Sequence, residues 1–263
     1  MNQSFLIFAL ARSGSTSLSS ALGSTIPLVQ EPFNIKSGDV EENPGFRQML
    51  EERGFLGLEN TATKESDFAW NPLNRVAEDK RECRLFLDQM LAHFTGIKHV
   101  WTTVSLEGNL NILDECLERE VKLIYLSRRN LARAVISRRL AAQAQIFQLG
   151  ASMEHRARWR KATFEKIDRE EFVRERDQIR ELDQTLRAHL EHKPHLSLYY
   201  EDLYGSPRAQ RAAISQLCQF VPIDGSILSA EAISNFLGRK DRKQTDKNTL
   251  KRIPNYWQLR WYL

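Results

Sequence analysis

The sequence predicts an α/β fold: a central, mainly parallel sheet flanked by helices in three layers. Three observations carry this. Apolar runs of strand length alternate with longer stretches of helical period, the order that builds a parallel sheet. Several of the runs are almost continuously apolar, as strands covered on both faces require. The composition, 263 residues with 41% hydrophobic, 27% charged, 12 Gly and 8 Pro, excludes disordered, collagen-like and low-complexity chains.

The expected strands are Phe5 to Ala9, Leu28 to Gln30, Ile97 to Val104, Val121 to Leu126 and Leu196 to Tyr200. The apolar start reads as a buried strand rather than a signal peptide, because no positive charge precedes it and the run is short. No stretch approaches the roughly 20 apolar residues of a membrane-spanning helix. Expected helices run from Ser15 to Leu22, closed by Gly23; from Leu73 to Phe94, after Pro72; from Leu110 to Arg119; and from Leu131 to Phe147, behind Asn130 as N-cap. Long charged helices follow between Arg160 and His192. Asp168 to Leu190 reads as a solvated surface helix, with a lid arm as the alternative.

Without repeats, a Pro-rich linker or a low-complexity tract, the expectation is one domain over 1–263. Residues 36–70 and about 150–192 are then substrate-side or lid insertions. Cys83, Cys116 and Cys218 are too few and too scattered for a disulfide framework or zinc knuckle, which favours a cytoplasmic, reducing location. His189, His192 and His195 recur at intervals of three, but Pro194 interrupts any helix there; they read as helix-end residues rather than metal ligands.

The net charge of +4 is unevenly placed. Arg128 to Lys161 holds nine Lys/Arg against Glu154 alone, a local +8, and Arg239 to Arg252 a local +5, leaving −9 for the remainder. Two basic segments in an otherwise acidic chain suit an anionic ligand pocket. A net charge so small does not suggest a polynucleotide partner.

The first expected strand runs into Arg12-Ser13-Gly14-Ser15-Thr16-Ser17-Leu18 and then a helix. Gly14 permits close backbone approach to an oxyanion. Turn and first-turn N–H groups point into the concavity, Ser13, Ser15, Thr16 and Ser17 add hydroxyls, and Arg12 adds charge. This is not a Walker A loop, since neither its first Gly nor its Lys is present.

These residues resemble the 5′-phosphosulfate loop of sulfotransferases that use 3′-phosphoadenosine 5′-phosphosulfate (PAPS), in particular bacterial carbohydrate-modifying and tyrosylprotein-type members. The resemblance implies a P-loop-containing three-layer sandwich and a second anion site for a 3′-phosphate. Arg129 and, eight residues later, Ser137 match that site's pattern, with Arg128 the adjacent but poorer fit. The resemblance places Tyr200, in Tyr199-Tyr200-Glu201-Asp202-Leu203, near the nucleotide, and Lys243 on a basic C-terminal loop closing over it.

It further implies sulfuryl transfer from PAPS, without a required metal, to an acceptor hydroxyl of a carbohydrate or glycolipid. Arg12 would stabilise the leaving phosphate, and Glu31 would be the general base. Pro32 biases Glu31 toward an extended conformation. His93 and His99 are alternative bases. A P-loop kinase or nucleotide phosphotransferase and a non-enzymatic nucleic-acid binder are the competing readings. The acceptor and the oligomeric state are not legible.

Overall fold

The computed structural model describes residues 3–24, 26–34, 44–54, 73–147, 152–221, 237 and 245–263. Five strands, β1 (Phe5–Ala9), β2 (Leu28–Gln30), β3 (Gly96–Val100), β4 (Lys122–Ser127) and β5 (His195–Tyr199), form one sheet in the order β2-β3-β1-β4-β5. Every pairing is parallel; Phe8, for example, lies between His99 and Tyr125.

The helices are α1 (Ser15–Gly23), α2 (Pro44–Glu52), α3 (Leu73–Glu78), α4 (Lys80–His93), α5 (Leu106–Glu118), α6 (Leu131–Ala144), α7 (Met153–Lys161), α8 (Arg169–Leu190), α9 (Tyr200–Tyr204), α10 (Pro207–Phe220), α11 (Lys247–Leu250) and α12 (Tyr256–Leu259). Alternate residues of β1 enter two separate cores, as the two-residue period of a strand dictates. Phe5, Ile7 and Ala9 pack with Leu18, Ala21 and Leu22 of α1 and Ala213, Ile214 and Leu217 of α10. Leu6, Phe8 and Leu10 pack with residues of α3, α4, α5, α6 and α8. The sheet is therefore flanked by helices on both faces.

β1 sits in the middle. The chain leaves it for β2 and β3 on one side, then crosses to β4 and β5 on the other, so the strand order reverses beside β1. In open α/β sheets that is where a crevice opens outside the carboxyl ends of the strands.

Several boundaries differ from expectation, each for a local reason. The helix expected over Leu73 to Phe94 is two helices, because Asp79 adopts an extended conformation and its side chain accepts from Glu82 N at 3.0 Å, capping α4. Ser105 does the same through Gly108 N and starts α5 four residues before Leu110. β3 stops at Val100, where a 3-10 turn over Trp101–Thr103 begins and Thr103 Oγ1 donates to Val100 O. α6 stops at Ala144, where Gln145 turns left-handed at φ 54. Gly23 stays helical, and Ser24 closes α1 by donating to Ala21 O at 2.8 Å. Asn130 does cap α6, accepting from Arg133 N at 3.0 Å.

α8 is a surface helix with a buried stripe of Phe172, Ile179, Leu186 and Leu190. Its acidic face qualifies the electrostatic expectation: Arg138 and Arg139, two of the nine basic residues of the +8 segment, are paired with Glu175, and Arg139 also with Glu171. Among the described residues no helix is long and apolar enough to cross a membrane.

Candidate active site

All five strands deliver a polar residue toward the same end of the sheet. Arg12 follows β1, Glu31 follows β2, Lys98 lies within β3, Arg128 follows β4 and Tyr200 follows β5.

The loop after β1 is held in a tight left-handed path. Arg12 has φ 67 and Gly14 φ 80. Gly14 is required twice over: its φ disfavours any side chain, and a Cβ there would collide with the ring of Tyr204, whose hydroxyl donates to Gly14 O at 2.7 Å. α1 begins behind Gly14 without a side-chain cap. Ser13 is fully buried, and its Oγ has no hydrogen-bond partner. Ser15 is buried as well, while Thr16 and Ser17 are half-buried.

Arg12 and Ser137, 125 residues apart, meet here: Arg12 Nε donates to Ser137 Oγ at 3.1 Å and Nη1 to Phe147 O at 2.6 Å. Arg128 approaches from β4. It is buried, donates from Nη1 to Arg12 O at 3.2 Å, and lies 4.3 Å from the centre of the Tyr200 ring. Arg128 Nε has no hydrogen-bond partner, the nearest carboxylate oxygen being Glu201 Oε1 at 3.8 Å. Burial, together with the facing Arg128, pulls the Arg12 guanidinium down to about 10. Burial likewise lowers Arg128. Like charges held this close in a poorly solvated place favour an anion between them.

Arg129 has a different environment. It is half exposed, lies 4.3 Å from the centre of the Tyr199 ring, and grips Asp202 through both Nη atoms at 2.8 Å. The backbone N–H groups of Arg129 and Asn130, where a helix start would receive a phosphate, instead donate to the Glu201 carboxylate at 3.0 and 3.3 Å. Arg128 therefore takes the inward place, and Ser137 is grouped with Arg12 rather than with Arg129. Lys243 lies outside the described residues.

The other half of the site is an ion pair. Glu31 is not extended but left-handed at φ 54, a correction to the expected effect of Pro32. Its N–H donates to Lys98 O at 2.6 Å, prolonging the β2–β3 ladder by one residue and turning the side chain back over β3. There Lys98, 1% exposed, donates to Glu31 Oε1 and lies 3.4 Å from Thr16 Oγ1. Asn34 Nδ2 donates to Glu31 Oε2 at 2.8 Å. Burial by itself raises the Glu31 carboxyl, but the charge and hydrogen bond of Lys98 more than reverse this and hold it below the usual carboxylate range.

His99 faces the opposite core, between Phe8 and Phe33, with Nε2 2.9 Å from Asn109 Oδ1; burial lowers it to about 4. His93 is exposed at the end of α4, just before the start of β3 and thus at the end of the sheet opposite the site. His189 and Lys193 share Asp114 at 2.7 and 3.0 Å, which suits helix-end roles. Among the described residues no His/Cys/Asp/Glu group suits a metal ion.

Sequence reasoning missed Lys98 and Tyr204. A lysine inside an apolar strand was the available signal for the first. The spacing of four between Tyr200 and Tyr204, whose rings stack at 4.9 Å, was the signal for the second.

A protein-family model described as cyclic phosphodiesterase-like protein matches residues 113–221, less than half of the chain. Arg128, Ser137, Tyr200 and Glu201 lie within that stretch. Comparison with curated proteins returned no match. The matched family corrects the resemblance to PAPS-dependent sulfotransferases, and with it sulfuryl transfer to a carbohydrate or glycolipid, the transferase class and PAPS as co-substrate. It gives no support to the kinase or nucleic-acid-binding readings. Two physical facts agree with the correction: Glu201 and Asp202 occupy the corner expected to take a 3′-phosphate, and a loop that cradles one tetrahedral oxyanion is not chemically selective between sulfuryl and phosphoryl centres.

Proposed function

We propose that the protein is a phosphodiesterase that hydrolyses a small, cyclic phosphodiester held between Arg12 and Arg128. The observation that carries this reading is the facing pair of arginines at the end of β1 and β4. Among the described residues no carboxylate pairs with Arg12, and Arg128 Nε and Ser13 Oγ are buried without hydrogen-bond partners. Donors left without partners beside two guanidinium groups suit a phosphate, whose several oxygens can accept from more than one of them. The phosphodiesterase-like match over 113–221 supports the reaction class.

In this reading the β1 loop acts as a P-loop without the Walker lysine. Its first-turn N–H groups and the hydroxyls of Ser15, Thr16 and Ser17 complete the cradle. A water oxygen forms the new P–O bond while the opposite ester P–O bond breaks. Glu31 takes the water proton and later returns it to solvent, and the departing alkoxide is protonated from solvent. Arg12 and Arg128 stabilise charge gathering on the phosphoryl oxygens. Arg129 positions Asp202, and Tyr200 lies against Arg128 to define its direction. The chain is read as one domain over 1–263, with 36–70 and about 150–192 as its substrate-side insertions; of these, 36–43, 55–70 and 150–151 lie outside the described residues. The three unbridged cysteines, two of them buried, support a cytoplasmic location.

Calorimetric titration with inorganic phosphate tests the cradle. Binding that is lost in Arg128→Ala supports the reading; equal binding by both proteins contradicts it.

A further inference from the structure

The resting site holds its base in an unproductive state. The Glu31 carboxylate, the group proposed to accept the water proton, is bonded to Lys98 on one oxygen and Asn34 on the other. Lys98 is buried and lies 3.4 Å from Thr16 Oγ1, on the first turn of the helix that follows the phosphate loop. It therefore stands between two places for an anion, the Glu31 carboxylate and the Arg12–Thr16 loop.

We infer that Lys98 is a switching counter-ion: phosphate entering the Arg12–Thr16 loop draws the ammonium from Glu31 to the phosphate, and so releases the carboxylate to act as base. This rests on the proposed phosphodiesterase reading and deepens it.

The physical argument is one of competition. A buried ammonium goes to the anion that offers the better-bonded site. Glu31 is already supported by Asn34, so losing Lys98 leaves one oxygen still bonded. The other groups that act on the carboxylate are His99 from β3, held neutral by its own burial, and Asn34 from the turn after β2; neither can replace the lost charge. The left-handed backbone at Glu31, fixed by its N–H bond to Lys98 O and its C=O bond from Asn34 N, keeps the carboxylate in place while the lysine moves. A carboxylate freed of its counter-ion only when substrate is bound gains proton affinity at the moment it is needed.

The test follows the Glu31 side-chain carboxyl by 13C NMR as pH is varied, with and without inorganic phosphate, in the full chain and in Lys98→Met, whose fold is checked by its amide spectrum. In the unsubstituted protein, phosphate should raise the Glu31 midpoint by about one pH unit or more. In Lys98→Met the midpoint should already be raised without phosphate, and phosphate should move it by less than half as much. Phosphate that binds without moving Glu31, or that moves it equally in both proteins, overturns the switch and leaves the phosphodiesterase reading standing. Absence of phosphate binding to the unsubstituted protein overturns both.

Discussion

Arg12 and Ser137 are 125 residues apart in sequence, yet the guanidinium Nε donates to the hydroxyl at 3.1 Å, tying the loop after β1 to the second turn of α6. Each then limits where the other can meet a ligand. Arg12→Ala should weaken inorganic phosphate binding about 10–150-fold, the usual range for losing a charge-assisted hydrogen bond, whereas Ser137→Ala should cost less than about tenfold. Calorimetry on both variants measures the ranking, and the reverse order would place Ser137, not Arg12, on the anion.

Gly14 is fixed by two independent constraints, its φ of 80 and the ring of Tyr204. Gly14→Ala should therefore destabilise the fold by about 1–3 kcal/mol, seen as a lower midpoint in thermal denaturation. Tyr204→Phe, which loses the bond to Gly14 O, should cost about 1 kcal/mol or more.

Removing the carboxylate charge at Glu31 should leave the chain folded and slow it. Glu31→Gln should reduce phosphodiester turnover about 10²–10⁴-fold, the usual worth of a general base, while phosphate binding, relieved of competition for Lys98, should tighten rather than weaken. Initial rates at saturating substrate separate the two effects.

His99 sets an acid limit on stability. Its folded value of about 4 lies below its ordinary 6.5, so the unfolded chain binds the proton more readily. Stability from this residue is full above about pH 6.5 and is lost as pH falls toward 4, by roughly 3 kcal/mol in all. Urea denaturation at pH 7 and at pH 4.5 should show the loss, and His99→Gln should flatten it.

The parallel sheet was legible because β1 and β4 are largely apolar runs bounded by clear breaks, and Asn130 announced the start of α6. Helix starts were less legible where a short polar residue intervened. Asp79 and Ser105 each look like ordinary surface residues in sequence and become caps only when the chain turns there. In the site, the loop residues 12–17 were visible as a pattern. The choice between Arg128 and Arg129 was not, because it depends on which side of the end of β4 each side chain leaves and on where Glu201 and Asp202 come to rest. Lys98 escaped notice because its partner Glu31 lies 67 residues away. The reaction class was misread because a tetrahedral oxyanion of either kind calls for the same loop.

The most direct test is hydrolysis of a nucleoside 2′,3′-cyclic phosphate in 18O-labelled water, followed by 31P NMR, for the unsubstituted protein and Arg128→Ala. The account predicts a phosphomonoester carrying one 18O from the unsubstituted protein and a rate at least about tenfold lower from the variant. Absence of turnover with this and other cyclic phosphodiesters, or an Arg128→Ala rate equal to that of the unsubstituted protein, would contradict it.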